Sequence, residues 1–424
     1  MWSRISAGKY FDYLRRVRYF CIAVTTAFLS AAPALAQEPV SSSLLLHAAR
    51  VFDGNEMRSG LSVLVKNGRI AEIKPRASFK ADSTVKIIDL GDATLLPGFI
   101  ELHAHLSYQK VPADTVLKHG ITTIRDLGGP VHQPYGGEGS LRVLTSGPII
   151  TAPHGYPIVN LGAANIAIAV AGEEEARETV RHLIDQGAVV IKIALEPGGE
   201  TGAPWSSHHG HAHHNSAHAD PHPAQVASHS PAAWPMLPEA TVKAIVDEAH
   251  RHQRKVSAHV AETAGVRIAL NAGVDEWAHM PCDLIPEPLL KQAKAQNVTI
   301  VGTLDTLSKC AGIARNAAIW AELGGELLYG AEIAHPDIPW GIDAQELMHL
   351  MHMAKMELPD ALRAATAKAG QHLGVPLLGT IQPGAPADLI AIQGNPAQHL
   401  KRLEYPGLVI SGGRIIVNDF VFAD

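Results

Sequence analysis

His103 and His105 stand two residues apart at the end of the apolar run LLPGFIELHAHL. Side chains two apart on a strand point to the same side, so both imidazoles face one point and could bind a single divalent cation. With 24 histidines in 424 residues, an H-x-H arises by chance about once or twice, and the tripeptide alone decides little. Its setting decides more. Pro97 and Gly98 introduce the run, and three further candidate ligands lie in later strand-like stretches. Lys192 sits in AVVIKIALEPGG, a β-branched stretch expected to be buried on both faces, where an unpaired lysine carries a large desolvation cost. As a neutral amine it can react with carbon dioxide to give a carbamate, an anionic oxygen ligand able to bridge two cations. The plainer alternative is a lysine whose head reaches the mouth of the fold and pairs with an acid. His259 in KVSAHVAE and His279 in DEWAHMP each follow a helix-like stretch and close a short strand. With the first pair they supply the neutral nitrogen donors that zinc and similar ions favour, with room left for water.

Such a set needs a frame that gathers strand ends. Strand-like runs near 95–105, 121–127, 142–151, 189–194, 256–260, 276–280, 299–304 and 327–332 alternate with helical stretches. Eight strand–helix units predict an α/β fold, a (β/α)8 TIM-like barrel, whose active site forms at the C-terminal ends of the strands, where each proposed ligand falls. Residues 37–97 alternate apolar and polar positions around the turns Asp53-Gly54 and Asn67-Gly68, and PADLIAI, LVISGG and RIIVNDF repeat that texture in residues 373–424. The two chain ends are therefore expected to form one small β-sandwich, with the barrel spanning 98–372.

These motifs together carry a resemblance. VFDG, VLVKNGRIAEI, IIDLGDATLLPGFIELHAHL, ITTIRDLGG and ALRAATAKAGQHLGVPLLGTIQPGAPADLIAI run collinearly with the amidohydrolase superfamily over nearly all of residues 37–424, and the chain resembles its imidazolonepropionase-like and Xaa-Pro dipeptidase-like branch. The resemblance implies a binuclear centre of two divalent metal ions, zinc foremost, held by His103, His105, carboxylated Lys192, His259 and His279 and bridged by hydroxide. One position departs from the family pattern. Where the family carries an aspartate after its eighth strand, LLYGAEIAHPD places Glu332, with His335 and Asp337 as substitutes if glutamate has left the metal. Glutamate offers the same carboxylate on a longer stem and a similar intrinsic acidity, so Glu332 is the expected metal ligand and proton carrier, a structural salt bridge being the alternative. His154 in TAPHGYP resembles a substrate-binding histidine of the branch, against a plain exposed loop histidine, and Arg125 with Asp126 reads as a structural ion pair. The implied reaction is hydrolysis of an amide C–N bond in a small-molecule dipeptide or N-acyl amino acid. A cyclic, imidazolone-type amide is the alternative, and a periplasmic zinc-binding protein without turnover is the competing class.

Composition agrees with a large globular enzyme: 46% of residues are hydrophobic and 18% charged. Arg15, Arg16 and Arg18 precede CIAVTTAFLSAAPALA, which ends in Ala34-Leu35-Ala36, so residues 1–36 are expected to be a secretory signal peptide, removed before Gln37. An uncleaved anchor is disfavoured because Pro33 interrupts the stretch and about 20 apolar residues are wanted for a span. The mature chain, periplasmic or secreted, keeps 30 basic and 40 acidic residues, a net of −10, which gives no basis for nucleic acid binding. A homo-oligomer is open. Cys282 and Cys310 remain, compatible with one disulfide, although an ordinary buried thiol is favoured for Cys282. Eight histidines between residues 208 and 229 mark an insertion, 205–234, whose composition cannot form a core. It is expected to emerge on the metal-bearing face and collect zinc, or to be incidental.

Overall fold

The computed structural model describes residues 43–80, 84–162, 166–198, 200, 202–203, 233–335 and 337–420. The signal peptide expected in 1–36 and the histidine-rich insertion, apart from Ala233 and Trp234, lie outside the described residues.

The β-branched runs become parallel strands because they are buried on both faces: every residue of Ile191–Leu195 and Val256–Val260 is buried. Seven strands form one parallel ladder in the order Ala167–Ala169, Ile149–Thr151, Ile191–Leu195, Val256–Val260, Glu276–Trp277, Thr299–Val301 and Glu326–Leu328. Arg142–Thr145, Ile121–Asp126 and Phe99–Ala104 form a second one. Single links join the two: Val189 N–H donates to the Thr145 carbonyl at 2.9 Å, and Ala104 bridges Ile333, whose carbonyl accepts from His105 N–H at 2.9 Å. The neighbourhoods thus succeed one another as in a TIM-like barrel, although the ladders are two sheets and not one closed one.

Two expected strands are broken. The first run divides at Gly98, where a Cβ would stand 2.2 Å from the Thr122 side chain. Ala93–Pro97 leaves for another sheet and Phe99–Ala104 enters the barrel. The third divides at Gly147, whose φ of +71° only glycine adopts readily. Helices pack outside in the expected alternation. Glu239–Arg251 buries Val242, Ile245, Val246 and Ala249, the spacing of one helical face.

The chain ends build two mixed sheets, one holding strands of both ends and the other strands of the N-terminal end alone. In one, Leu389–Gln393 pairs antiparallel with Ala93–Pro97; in the other, Ser43–His47 lies between Leu61–Lys66 and Val85–Asp89. Residues of both sheets, among them Leu46, Val63, Leu95, Leu389 and Ile410, share a core of their own. It is not set off as a separate unit, since Ser41–Asp424 clusters as one body. No helix among the described residues is long and apolar enough to cross a membrane.

Candidate metal centre

The expected ligands converge where the parallel strands end. His103 is the fifth residue of Phe99–Ala104, and His105 follows it at the start of the short helix Leu106–Gln109. The His103 Nδ1–H donates to the Ala278 carbonyl at 2.7 Å, and His105 is hydrogen-bonded to the backbone of Gly128. With those bonds made through Nδ1, the Nε2 lone pairs face each other at 3.3 Å. Two lone pairs that close repel unless a cation or a proton lies between them. Burial pushes His105 down to about 3 and His103 well below its ordinary range, with the nearby Lys192 ammonium adding to both, so both rings stay neutral at pH 7. Backbone carbonyls orienting neutral imidazoles toward one point is what a metal site requires.

Glu332 follows Glu326–Leu328 and has a left-handed backbone, φ +65°, with Ala334 at +103° beyond it. Such strain in non-glycine residues gathers at functional sites. Its Oε1 lies 3.8 Å from His105 Nε2 and its Oε2 3.9 Å from His279 Nδ1. His103, His105 and Glu332 bring their ligand atoms within 4.8 Å of one another. Burial raises the Glu332 carboxyl to about 8, against the pull of Lys192. His335 is half-buried and Asp337 exposed, and neither belongs to this group.

Lys192 is 1% exposed, and its Nζ has no hydrogen-bond partner among the described residues. The lysine paired to an acid is therefore not what the structure shows. Burial lowers its ammonium to about 7, leaving a large fraction as the neutral amine at neutral pH. His279 links the two sides of the centre: its ring centroid is 4.4 Å from that of His103 and 4.7 Å from that of His259, and its Nδ1 bonds Thr303 Oγ1 at 2.9 Å.

Sequence reasoning missed four residues here. Glu196 and Glu200 lie just past Ile191–Leu195, and with His259 they form a second buried group whose ligand atoms all lie within 4.8 Å. An acid four residues beyond a buried strand lysine, at the active end of a barrel, was the available signal. Tyr156 packs its ring on His259, centroids 4.7 Å apart, and stacks on Trp234 at 6.0 Å. Burial, reinforced by Glu200, Glu332 and Glu196, pushes its hydroxyl well above the usual range, so it stays a neutral donor. Glu101, fully buried, accepts the N–H of His103 at 2.7 Å and of Ala331 at 3.0 Å, tying the first histidine strand to the backbone before Glu332.

Other expectations resolve differently. His154 is exposed, with φ +61°, in the loop where Tyr156 turns inward. Arg125 does not pair with Asp126. Its guanidinium grips Glu276 with two hydrogen bonds of 2.7 and 3.0 Å, while Asp126 accepts from Ser107. Cys282 is not a free thiol, because it is joined to Cys310 across 28 residues.

The Amidohydrolase family profile matches residues 94–416, more than half of the chain. The chain belongs to this family. Within the family, it is 29% identical over 352 residues to the ochratoxinase of Aspergillus niger, spanning 70% of this chain and 66% of that protein, just short of two thirds of its length. The crystal structure of that ochratoxinase superposes with a TM-score of 0.68 at 21% identity, over 89% of this chain and 96% of that one. A putative prolidase from Bifidobacterium longum superposes with a TM-score of 0.71 at 26% identity, over 89% and 95% of the two chains. A shorter stretch, 117 residues or 24% of this chain and 23% of the relative, is 33% identical to the allantoinase of Arabidopsis thaliana.

Proposed function

We propose that this family member is a binuclear metal-dependent hydrolase that cleaves the amide C–N bond of a dipeptide or N-acyl amino acid. The observation that carries the reading is the facing pair of His103 and His105 Nε2 atoms beside Glu332, with the Glu196, Glu200 and His259 group across His279. Neutral imidazoles and carboxylates converging in a buried site form a donor set for zinc or a similar ion, so these residues fit the group that the family implies. Divalent cations held there would polarise an amide carbonyl and acidify a water.

The chain's own residues supply the rest. Glu332 is placed to take a proton at a carboxylate oxygen during attack and return it to the departing amine, general base and then acid. Glu101 holds the backbone at both His103 and Ala331, fixing the separation of His103 from Glu332. The Lys192 amine, without a hydrogen-bond partner among the described residues, suits carboxylation, and as a carbamate it would offer an anionic oxygen ligand. The Tyr156 and Trp234 rings offer a flat wall on the His259 side for an apolar substrate group.

Similarity to proteins named ochratoxinase and prolidase supports a linear amide. The allantoinase-like stretch favours, as the second reading, a cyclic amide opened at the same centre. We further assign residues 1–36 as a signal peptide, the paired chain ends as a small β-sandwich and the mature chain as periplasmic or secreted. The Cys282–Cys310 bond suits an oxidising compartment.

The test is amine release from a library of dipeptides and N-acyl amino acids by the zinc-loaded protein, with Lys192→Ala as control. Cleavage by the wild type alone is expected. A metal-loaded wild type that cleaves neither these nor cyclic amides would leave a zinc-binding protein without turnover.

A further inference from the structure

We propose that a cavity walled by Gln109, Ala334, Ile338 and Trp340 receives a bulky apolar side chain on the amine half of the substrate, and so sets which amine is released. The inference rests on the hydrolase reading above and names the class of side chain that the substrate carries.

The walls come from the two chain segments that leave the metal centre. Gln109 ends the short helix Leu106–Gln109, about one helical turn beyond His105. Ala334 follows Glu332 by two residues, and the bond from His105 N–H to the Ile333 carbonyl, 2.9 Å, holds the two segments side by side. The cavity that they line measures about 380 Å³. Its far wall is braced. His335 N–H donates to the Glu332 carbonyl at 3.1 Å and Ile338 N–H to the His335 carbonyl at 3.0 Å, so the chain turns back on itself before it reaches Ile338, which is buried. Past Trp340, a Cβ on Gly341 would stand 2.2 Å from the His119 Cβ, and Ile342 N–H donates to the His119 carbonyl at 3.0 Å. Trp340 thus stands on an anchored backbone although it is 43% exposed.

A lone exposed tryptophan is ordinary, but one that lines a cavity beside a reacting centre is a surface for a ligand. Ala334, Ile338 and Trp340 are apolar, and Gln109 adds a neutral amide. A charged substrate group would find no counter-ion among these lining side chains, whereas an aromatic or branched aliphatic one would cover the Trp340 ring and remove apolar surface of both from water. Which half of the substrate enters follows from the proton. Glu332, as the acid that protonates the departing nitrogen, must stand beside that nitrogen. The chain runs from Glu332 directly into the cavity wall at Ala334, so the cavity takes the side chain borne on the nitrogen. The Tyr156 and Trp234 wall against His259 is left for the acyl group.

The zinc-loaded protein is assayed on the N-acetyl derivatives of glycine, leucine, phenylalanine, glutamate and lysine, a series in which only the leaving amine changes. Calorimetry measures the binding of free phenylalanine and glycine alongside. The wild type should prefer phenylalanine and leucine to glycine by at least about tenfold in kcat/KM, with glutamate and lysine no better than glycine. Trp340→Ala should cut the phenylalanine-to-glycine ratio by about tenfold and weaken phenylalanine binding to match, while zinc content and the ranking of acyl groups in a glycine series stay as in the wild type. Trp340→Phe, which keeps an aromatic ring, should retain most of the ratio and shows that the position tolerates substitution. Cleavage indifferent to the amine side chain, a ratio that Trp340→Ala leaves intact, or a shift in the acyl ranking instead overturns the assignment while the hydrolase reading stands. No cleavage of any amide, with phenylalanine bound more tightly than glycine and that difference lost in Trp340→Ala, refutes the hydrolase reading and leaves the cavity standing as an apolar side-chain site. Equal binding of the two amino acids without cleavage overturns both.

Discussion

Glu332 is one methylene longer than the aspartate that the family pattern led us to expect, and its backbone differs to match. With φ at +65° the main chain is turned so that the longer carboxylate reaches both His105 and His279 at just under 4 Å. An aspartate on that backbone would stop about 1.5 Å short, and misplacing a catalytic group by 1 Å can cost on the order of 100-fold. Glu332→Asp should therefore lower kcat by about 10- to 100-fold with zinc content little changed, and Glu332→Gln should lower it further, by about 100- to 10,000-fold. Steady-state kinetics with metal analysis check both; a faster aspartate variant would mark Glu332 as an impairment. The histidines were legible because each ends a strand whose direction is known. Glu196 and Glu200 were not, since only the turn at Pro197 and Gly198 sends loop carboxylates inward, and no periodicity reports a turn's direction. His154 and Tyr156 show the same blindness two residues apart.

Strand positions were readable from β-branched runs, but the partners that lock them were not. Arg125 and Glu276 are 151 residues apart and meet inside the barrel, where Arg125 also donates to the Leu102 carbonyl and Ser257 and His372 hydrogen-bond the Glu276 carboxylate. Asp126, the neighbour in sequence, points to the other side of the strand, as adjacent strand residues must. Likewise Gly98 and Gly147 divide runs that look continuous, because the reason for each break is a contact or dihedral invisible in the apolar pattern. Removing one partner from a buried pair strands the other charge, so Arg125→Met should destabilise the fold by roughly 3–5 kcal/mol, while Arg125→Met with Glu276→Leu should cost far less. Denaturant unfolding measures both; equal losses would mean that packing at Arg125 matters more than charge. The pair also sets a pH dependence. Burial alone would raise Glu276, but Arg125 and then His372 more than offset it and hold the carboxyl below its usual range. A depressed carboxyl stabilises the fold above its unfolded value and loses that contribution as pH falls through the folded one. Stability should thus drop on acidification more steeply in the wild type than in Glu276→Gln.

At the scale of the whole molecule, the cysteines connect fold, site and compartment. Cys282 lies three residues past His279, and Cys310 lies in the segment against which Gly202 packs, close to Glu200. The bond therefore fastens together two loops at the end of the barrel that bears the ligands. Closing 28 residues contributes roughly 3.5 kcal/mol in the loop-entropy account, a large fraction of the roughly 5–15 kcal/mol that holds most domains folded. The sequence permitted this bond without requiring it, because two cysteines 28 apart fix no distance; the fold brings their Cα atoms to 5.0 Å. If the arginine-flanked apolar segment exports the chain, the two cysteines meet an oxidising environment and join, whereas the same chain retained in a reducing cytosol would carry two thiols. Protein recovered from the periplasm or medium should begin at Gln37 and show no free thiol under denaturing conditions. Cytosolic protein should show two free thiols besides Cys21 and unfold at lower denaturant, with oxidation restoring the difference. Two free thiols in exported protein would break the link between compartment and fold. Equal stability of oxidised and reduced chains would show that packing around Cys282 and Cys310, and not the bond, holds the loops at the site.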